Sequence, residues 1–175
     1  VAVAPVTENV VLRADAPAAA AYYLLADSGQ EALLEARVRL SRFKVDAAEA
    51  KFTSDGREYP AGSWILADQP GLEAALGSLA ANLALRFDAA AEAPAVARHA
   101  LDLPRLAVLQ TWTSTQSAGW VRMIFDDQKV PYTLIMDDDV RKGSLRSRFD
   151  VILYPETNGN LRRIVGGIDP KFGPL

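Results

Sequence analysis

The stretch from residue 106 to residue 155 constrains the fold of this chain more than any other, because it reads as strands that alternate with a helix. Three short apolar runs cover residues 106–109, 132–135 and 151–154, and apolar residues at helical spacing lie between the first two runs. Strands that are separated by a helix of this length pair in parallel. The pattern therefore predicts a βαβ unit and an α/β fold class.

The polar turn at residues 111–117 is the first place to expect a binding site. It directly follows the first predicted strand of the unit, and ligands of parallel sheets gather at the carboxyl ends of the strands. A polar turn that opens a helix can also hold a small anion. The residues that we predict to bind a ligand are Thr111, Trp112, Ser114, Ser117, Trp120 and Arg122.

Each of these side chains also has a structural interpretation. Ser117 or Thr115 could cap a helix that begins near residue 118, and Trp112 and Trp120 could fill the edge of the core. We favour the structural interpretation for the cap and for both tryptophans. Catalysis by Ser114 or Ser117 is disfavoured, because no G-x-S-x-G elbow surrounds them and the only imidazole, that of His99, lies in the preceding segment. No catalytic residue is predicted.

The composition excludes several classes of function. The 175 residues carry 19 Lys and Arg against 22 Asp and Glu, which gives a net charge of -3 and no basic field for nucleic acid. The absence of cysteine excludes thiol nucleophiles, disulfides and thiolate metal sites. No apolar run reaches the ~20 residues that span a bilayer. Because the chain begins with Val and ends on KFGPL, we expect a piece of a longer protein.

The first half of the chain predicts a connector followed by a compact module. Residues 1–20 read as the connector and residues 21–90 as a small α+β module with a β-hairpin. The individual predictions are a helix cap at Asp27 or Ser28, a hairpin turn at Asp55 and Gly56, a helix from Pro70 to Phe87 and an alanine-rich link over residues 89–97.

No metal site is predicted within the chain. His99 lacks the neighbouring ligands that zinc requires, so we interpret it as a surface or linker histidine. The acids at residues 126–127 and 137–139 lack the spacing of a calcium loop and read as solvated loop acids. Arg141, Lys142, Arg146 and Arg148 make a basic stretch that could capture an anion, but we expect them to form exposed pairs with the nearby acids.

The order of motifs from Pro104 to Pro155 resembles the C-terminal region of large bacterial proteins of the M14 zinc carboxypeptidase family. Such regions carry a tryptophan after a strand, a polar turn, G-W-x-R, a helix, a P-Y strand start and an arginine-rich loop that leads to D-V-I. The matching residues are Trp112, residues 119–122, Pro131, Tyr132, Gly143, Leu145, residues 149–152 and Pro155, with an upstream G-R-x-Y-P-A-G-S-W hairpin at residues 56–64.

The resemblance implies a flavodoxin-like fold of the class I glutamine amidotransferase type over residues 104–175, incomplete at the C-terminus. It also implies a periplasmic or secreted parent whose zinc-bearing peptidase domain is the partner of this chain. The family's zinc ligands, H-x-x-E and a distant His, do not occur here, and neither does an amidotransferase cysteine. We therefore expect a non-catalytic accessory domain with no cofactor of its own. The alternative is a small-molecule or peptide binding module that uses the turn at residues 111–117.

Overall fold

The chain mixes helices and strands and divides into two compact units, residues 1–103 and residues 104–175. The computed structural model describes residues 15–112, 114–156 and 171, so most of the predicted connector lies outside the described residues. Within the described part of the chain, no helix is both long enough and apolar enough to cross a membrane. The mixture of helices and strands confirms the general α/β class.

The first unit is built on a five-stranded sheet in the order β6-β1-β5-β2-β7, with all neighbours antiparallel. A separate two-stranded hairpin, β3-β4, turns at the predicted Asp-Gly pair, so the hairpin prediction is confirmed. The elements are β1 (Tyr22–Leu25), α1 (Ala32–Arg39), β2 (Asp46–Ala48), β3 (Phe52–Ser54), β4 (Arg57–Tyr59), β5 (Trp64–Ala67), α2 (Leu72–Leu83), β6 (Phe87–Ala90) and β7 (Arg98–Ala100).

The core of the first unit lies on both faces of its sheet, because side chains alternate along each strand. Tyr23 and Leu66 are paired across β1 and β5 and join a buried cluster with residues of α1 and α2. Leu24 and Ile65 are paired one position further on and join a second cluster with Tyr59 of the hairpin. The helices therefore cover one face of the sheet, and the hairpin covers the other.

The helix ends of the first unit differ from the predictions. Helix α1 begins at Ala32, so neither Asp27 nor Ser28 caps it. Instead, the Asp27 Oδ1 accepts the N–H of Gly29 at 2.9 Å, and the Ser28 N–H donates to Gln30. These local bonds hold the segment as a turn before the helix starts.

Helix α2 is shorter than the predicted helix at both ends. Gly71 has a φ of 82° and stands before the helix, and Ala84 has a φ of 53° and stands after it. Phe87 does not close the helix, because it begins β6 and pairs with Leu25 of β1. Left-handed backbone at each end stops the helix where periodicity alone would continue it.

The predicted alanine-rich link is partly sheet. β6 pairs with β1, and β7 pairs with β2 through Ala47 and His99. The His99 side chain is 61% exposed, which confirms a surface histidine but places it on an edge strand rather than in a linker.

The second unit contains a three-stranded parallel sheet in the order β10-β8-β9, which confirms the predicted parallel pairing. Its buried cluster joins Ala107, Ile135 and Phe149, with Leu109 and Leu145 packed against them. The elements are β8 (Leu106–Leu109), α3 (Thr115–Asp127), β9 (Thr133–Ile135), α4 (Asp137–Arg141), α5 (Leu145–Arg148) and β10 (Val151–Leu153).

Two predictions in the second unit are wrong. Helix α3 begins at Thr115 rather than near residue 118, with Ser114 at the capping position, so neither Thr115 nor Ser117 is its cap. The acids at residues 137–139 form the first turn of α4 rather than a loop. Carboxylates in a first helical turn are favoured by the partial positive charge of the helix N-terminus.

Candidate functional site

The carboxyl ends of β8, β9 and β10 lie at one edge of the parallel sheet. The register sets Leu109 beside Ile135, and Val108 beside Leu153. Residues that follow the strands therefore leave the sheet at the same edge, where parallel sheets bind ligands. Two features occupy this edge: a hydrogen-bonded turn and an open cleft.

The turn after β8 is held together by its own hydroxyl groups. The Thr111 N–H donates to Ser114 Oγ at 3.1 Å, and the hydroxyls of Thr111 and Ser114 are 3.2 Å apart. The Tyr154 hydroxyl, which follows β10, lies 3.4 Å from Thr111 Oγ1. Ser114 is only 3% exposed, so its hydroxyl supports the turn from inside the fold.

The cleft lies between the residues that follow β8 and those that follow β9, and we call it the Trp112 cleft. Its volume is ≈ 370 Å³, within the range of small-molecule sites. The wall combines an aromatic ring, a thioether, an amide, two carboxylates and a guanidinium. The residues of the Trp112 cleft are Gln110, Trp112, Met136, Asp137, Asp138 and Arg141.

Both tryptophans of the second unit are exposed, so the prediction that they fill the core is wrong. Trp112 is 66% exposed and lines the cleft. Trp120 is 58% exposed and lies on α3, where the exposed Met123 and Ile124 follow three and four residues later on the same face of the helix. The reason is helical register: Ala118 is the buried residue of α3, and a residue two positions later points about 200° away.

Arg122 contacts the Trp112 cleft through Gln110, one of the residues that line it. Its Nη1 donates to Gln110 Oε1 at 3.2 Å, and its Nε lies 3.4 Å from the Tyr132 hydroxyl. The Tyr132 hydroxyl in turn donates to Asp126 at 3.1 Å. Arg122 therefore orients the Gln110 amide, which lines the cleft.

The acids beside the cleft differ in their partners. Asp138 accepts a bond from Arg141 at 2.8 Å, and Asp139 lies 3.4 Å from Lys142, which confirms the expected exposed pairs for these two of the four cations. A hydrogen bond from the Met136 N–H is the main cause that lowers the pKa of Asp139. Among the described residues that line the cleft, Asp137 and Asp138 against Arg141 give a formal charge of one negative unit.

Metal-ligating side chains do not gather in the described ranges, where no group of three or more His, Asp or Glu could hold an ion. The single histidine lies in the first unit, with its Nδ1 at 3.4 Å from Glu49.

The six predicted binding residues thus have different positions. Trp112 lines the cleft, Arg122 supports it, Thr111 and Ser114 hold the turn, Ser117 is half-buried in the first turn of α3, and Trp120 faces solvent.

The prediction omitted the far wall of the cleft, which Met136, Asp137, Asp138 and Arg141 form. A signal for these residues was present in the sequence, because they follow the second strand of a parallel pair and so leave the sheet at the same edge as residues 111–117.

Comparison of the chain with family models, with curated proteins and with solved structures gives no match.

Proposed function

We propose that this chain is a binding domain without catalytic residues of its own, and that it serves as an accessory part of an M14-like zinc carboxypeptidase. The observation that carries the binding role is Trp112, which is 66% exposed at the mouth of a cleft at the carboxyl edge of a parallel sheet. Tryptophan is enriched among the residues that dominate binding energies. The accessory role rests on the motif order over residues 104–155.

The composition of the Trp112 cleft suits a peptide or small molecule with both apolar and polar groups. The indole of Trp112 and the thioether of Met136 offer contact area, while the Gln110 amide offers hydrogen bonds. Because Arg122 already holds Gln110, less side-chain freedom is lost when a ligand binds. The strand order β10-β8-β9 supports a flavodoxin-like arrangement, since that fold also has its first strand between the next two.

A hydrolytic role for the turn is less well supported. The hydroxyl of Ser114 is buried and accepts the Thr111 N–H, and it lies 3.2 Å from the Thr111 hydroxyl, so its neighbours in the turn are an amide and a second hydroxyl rather than a base. A serine nucleophile needs a base within hydrogen-bond reach. We therefore assign the chemistry to the peptidase domain of the parent, where zinc would be bound.

The binding role is tested by thermal shift with a panel of peptides, sugars and phosphorylated compounds. A ligand at 100 times its dissociation constant should add ~2.7 kcal/mol of stability. Trp112→Ala should weaken binding of a hit by at least tenfold, because it removes the main contact surface of the cleft. Trp120→Ala is the matched control, since Trp120 is about as exposed but lies outside the cleft.

Equal losses in the two variants, or no shift with any compound, would contradict the binding role. The accessory role has a separate test: metal analysis and a carboxypeptidase assay on this chain. We expect neither bound zinc nor turnover, and stoichiometric zinc with peptide cleavage would exclude a non-catalytic accessory domain.

A further inference from the structure

The first unit contains a second cavity, which is distinct in chemistry from the Trp112 cleft. Its volume is also ≈ 370 Å³, and we call it the Arg57–Arg86 cavity after the two guanidinium groups in its lining. Leu25, Leu83 and Leu85 contribute apolar wall. Among the described residues that line it, only these two arginines are charged.

One carboxylate holds both arginines. Asp88 accepts bonds from Arg57 through Oδ2 and from the Arg86 Nε through Oδ1, the latter at 2.8 Å, and Tyr59 donates its hydroxyl to Oδ2 at 2.7 Å. Arg57 also lies over the Tyr59 ring, with 5.4 Å from its Cζ to the ring centroid. Two cations against one anion leave one positive charge beside the cavity.

Each guanidinium carries five N–H donors, and the bonds to Asp88 use the Nη1 of Arg57 and the Nε of Arg86. The nitrogens that remain on each group can donate to a further oxygen anion. Because Asp88 and the Tyr59 ring already fix the Arg57 side chain, less side-chain entropy is lost when a ligand binds.

The helix ends at this cavity do not favour either sign of charge. The first residue of α1, Ala32, and the last residue of α2, Leu83, both line the wall. A helix N-terminus carries a partial positive charge and a C-terminus a partial negative charge of similar size, so the two contributions oppose each other. The lining residues Ala26, Ser28 and Gln30 carry no charge, and Gln30 bonds to Ser28 and to the Ala26 carbonyl. The arginine pair therefore sets the preference of the cavity.

We infer that the Arg57–Arg86 cavity binds a small anion, a carboxylate or a phosphate, attached to an apolar body. The two guanidiniums bind the anionic group, since arginine matches both oxyanions in geometry and charge. The leucine wall takes the apolar part. This site is independent of the Trp112 cleft and would remain if that cleft bound nothing.

The test is an NMR titration of the whole chain with four phenyl compounds. Benzoate and phenyl phosphate should shift the amide signals of residues 25–32 and 83–86, whereas benzyl alcohol and benzylamine should not. The stronger of the two anions identifies the preferred oxyanion. Equal shifts with benzyl alcohol, or no shifts in these segments with either anion, would overturn the inference.

Two variants and a control separate the contribution of the arginine pair to anion binding from general effects of charge. Arg86→Gln should weaken binding of the anion about tenfold, and it should fold normally because the Arg86 side chain is 73% exposed. Arg57→Lys keeps the positive charge but loses the planar, forked set of N–H donors, and should also weaken binding of the anion. Arg39→Gln removes another ion-paired arginine of the same unit and should leave binding unchanged. Equal affinities in Arg86→Gln and the unaltered chain would overturn the inference.

Discussion

Arg105 and Asp150 of the second unit are joined by several hydrogen bonds. The Arg105 backbone N–H and Nε both donate to Asp150 Oδ2, at 2.8 and 3.0 Å, and Nη2 donates to Oδ1 at 2.7 Å. The Asp150 N–H returns a bond to the Arg105 carbonyl at 2.9 Å. The pair joins the residues that precede β8 and β10, and therefore helps to fix the register between these two neighbouring strands.

This pairing predicts that the Asp150 carboxyl titrates at a lower pH than an ordinary aspartate. Hydrogen bonds from the Arg105 side chain and then from its backbone N–H lower the pKa of Asp150 to about 2. Because the folded pKa lies below the ordinary value of about 3.9, the contribution to stability is complete above pH ~4 and is lost as the pH falls through about 2. Carboxyl NMR should give this pKa directly.

Arg105→Gln should raise the pKa of Asp150 part of the way to its ordinary value, since the backbone bond remains. Arg141→Gln is the control, because it removes the arginine partner of Asp138 and leaves Asp150 untouched. An unchanged pKa in Arg105→Gln would show that the side chain is not the main cause.

At the scale of elements, the sequence pattern predicted the hairpin and the parallel strands but not the pairing of the five-stranded sheet, and local backbone decided where the helices end. The hairpin and the parallel strands followed from alternation and from turn chemistry. The ends of α2 did not, because they depend on the left-handed conformations of Gly71 and Ala84. The exposure of Trp120 could not be read from composition either, since it depends on which residue of α3 contacts the sheet.

Two glycines of the second unit differ in backbone conformation, so the same change to alanine at each of them should have opposite effects on stability. Gly119 lies inside α3, and a Cβ there would meet nothing within 4 Å. Gly143 has equally open space, but its φ is +73°. Gly119→Ala should therefore stabilise the chain by about 0.5–1 kcal/mol, because alanine loses less backbone entropy in a helix.

Gly143→Ala should instead destabilise the chain by about 1–2 kcal/mol, because a Cβ strains left-handed backbone. Denaturant unfolding that follows the second unit would measure both changes in free energy. The same sign for the two variants would contradict the described conformations.

At the scale of the whole molecule, the cleft shows what sequence reasoning could and could not predict. The sheet edge was predicted from the alternation of strands and helix along the chain, whereas Trp112, for which core filling was favoured, lines the cleft instead. The wall formed by Met136 and Asp137 was not predicted, because its contribution depends on α4 starting directly after β9. The Arg57–Arg86 cavity was not predicted, since it combines residues from the end of β1 to the start of α1, from the hairpin and from the α2–β6 connection, which are far apart in the sequence.

The two units should differ in stability, because their buried clusters differ in extent. In the first unit, buried clusters lie on both faces of the sheet and include large side chains such as Tyr23, Leu66 and Leu76. The buried cluster of the second unit joins only Ala107, Ile135 and Phe149, among the residues that the structure describes. Since apolar burial contributes about 25 cal/mol per Å², the second unit should unfold first. Residue-resolved hydrogen exchange in rising denaturant should show amides of β8 losing protection before those of β1 and β5.

A core variant separates two transitions from a single one. Leu66→Ala removes a side chain that is fully buried in the first unit and should lower the stability of that unit by about 2–5 kcal/mol. If the units unfold separately, exchange in β1 and β5 should then accelerate while exchange in β8 keeps its original denaturant dependence. If both sets of amides shift together, the chain unfolds as one cooperative unit. The division at residue 103 would then describe the packing of the chain and not two independent unfolding transitions.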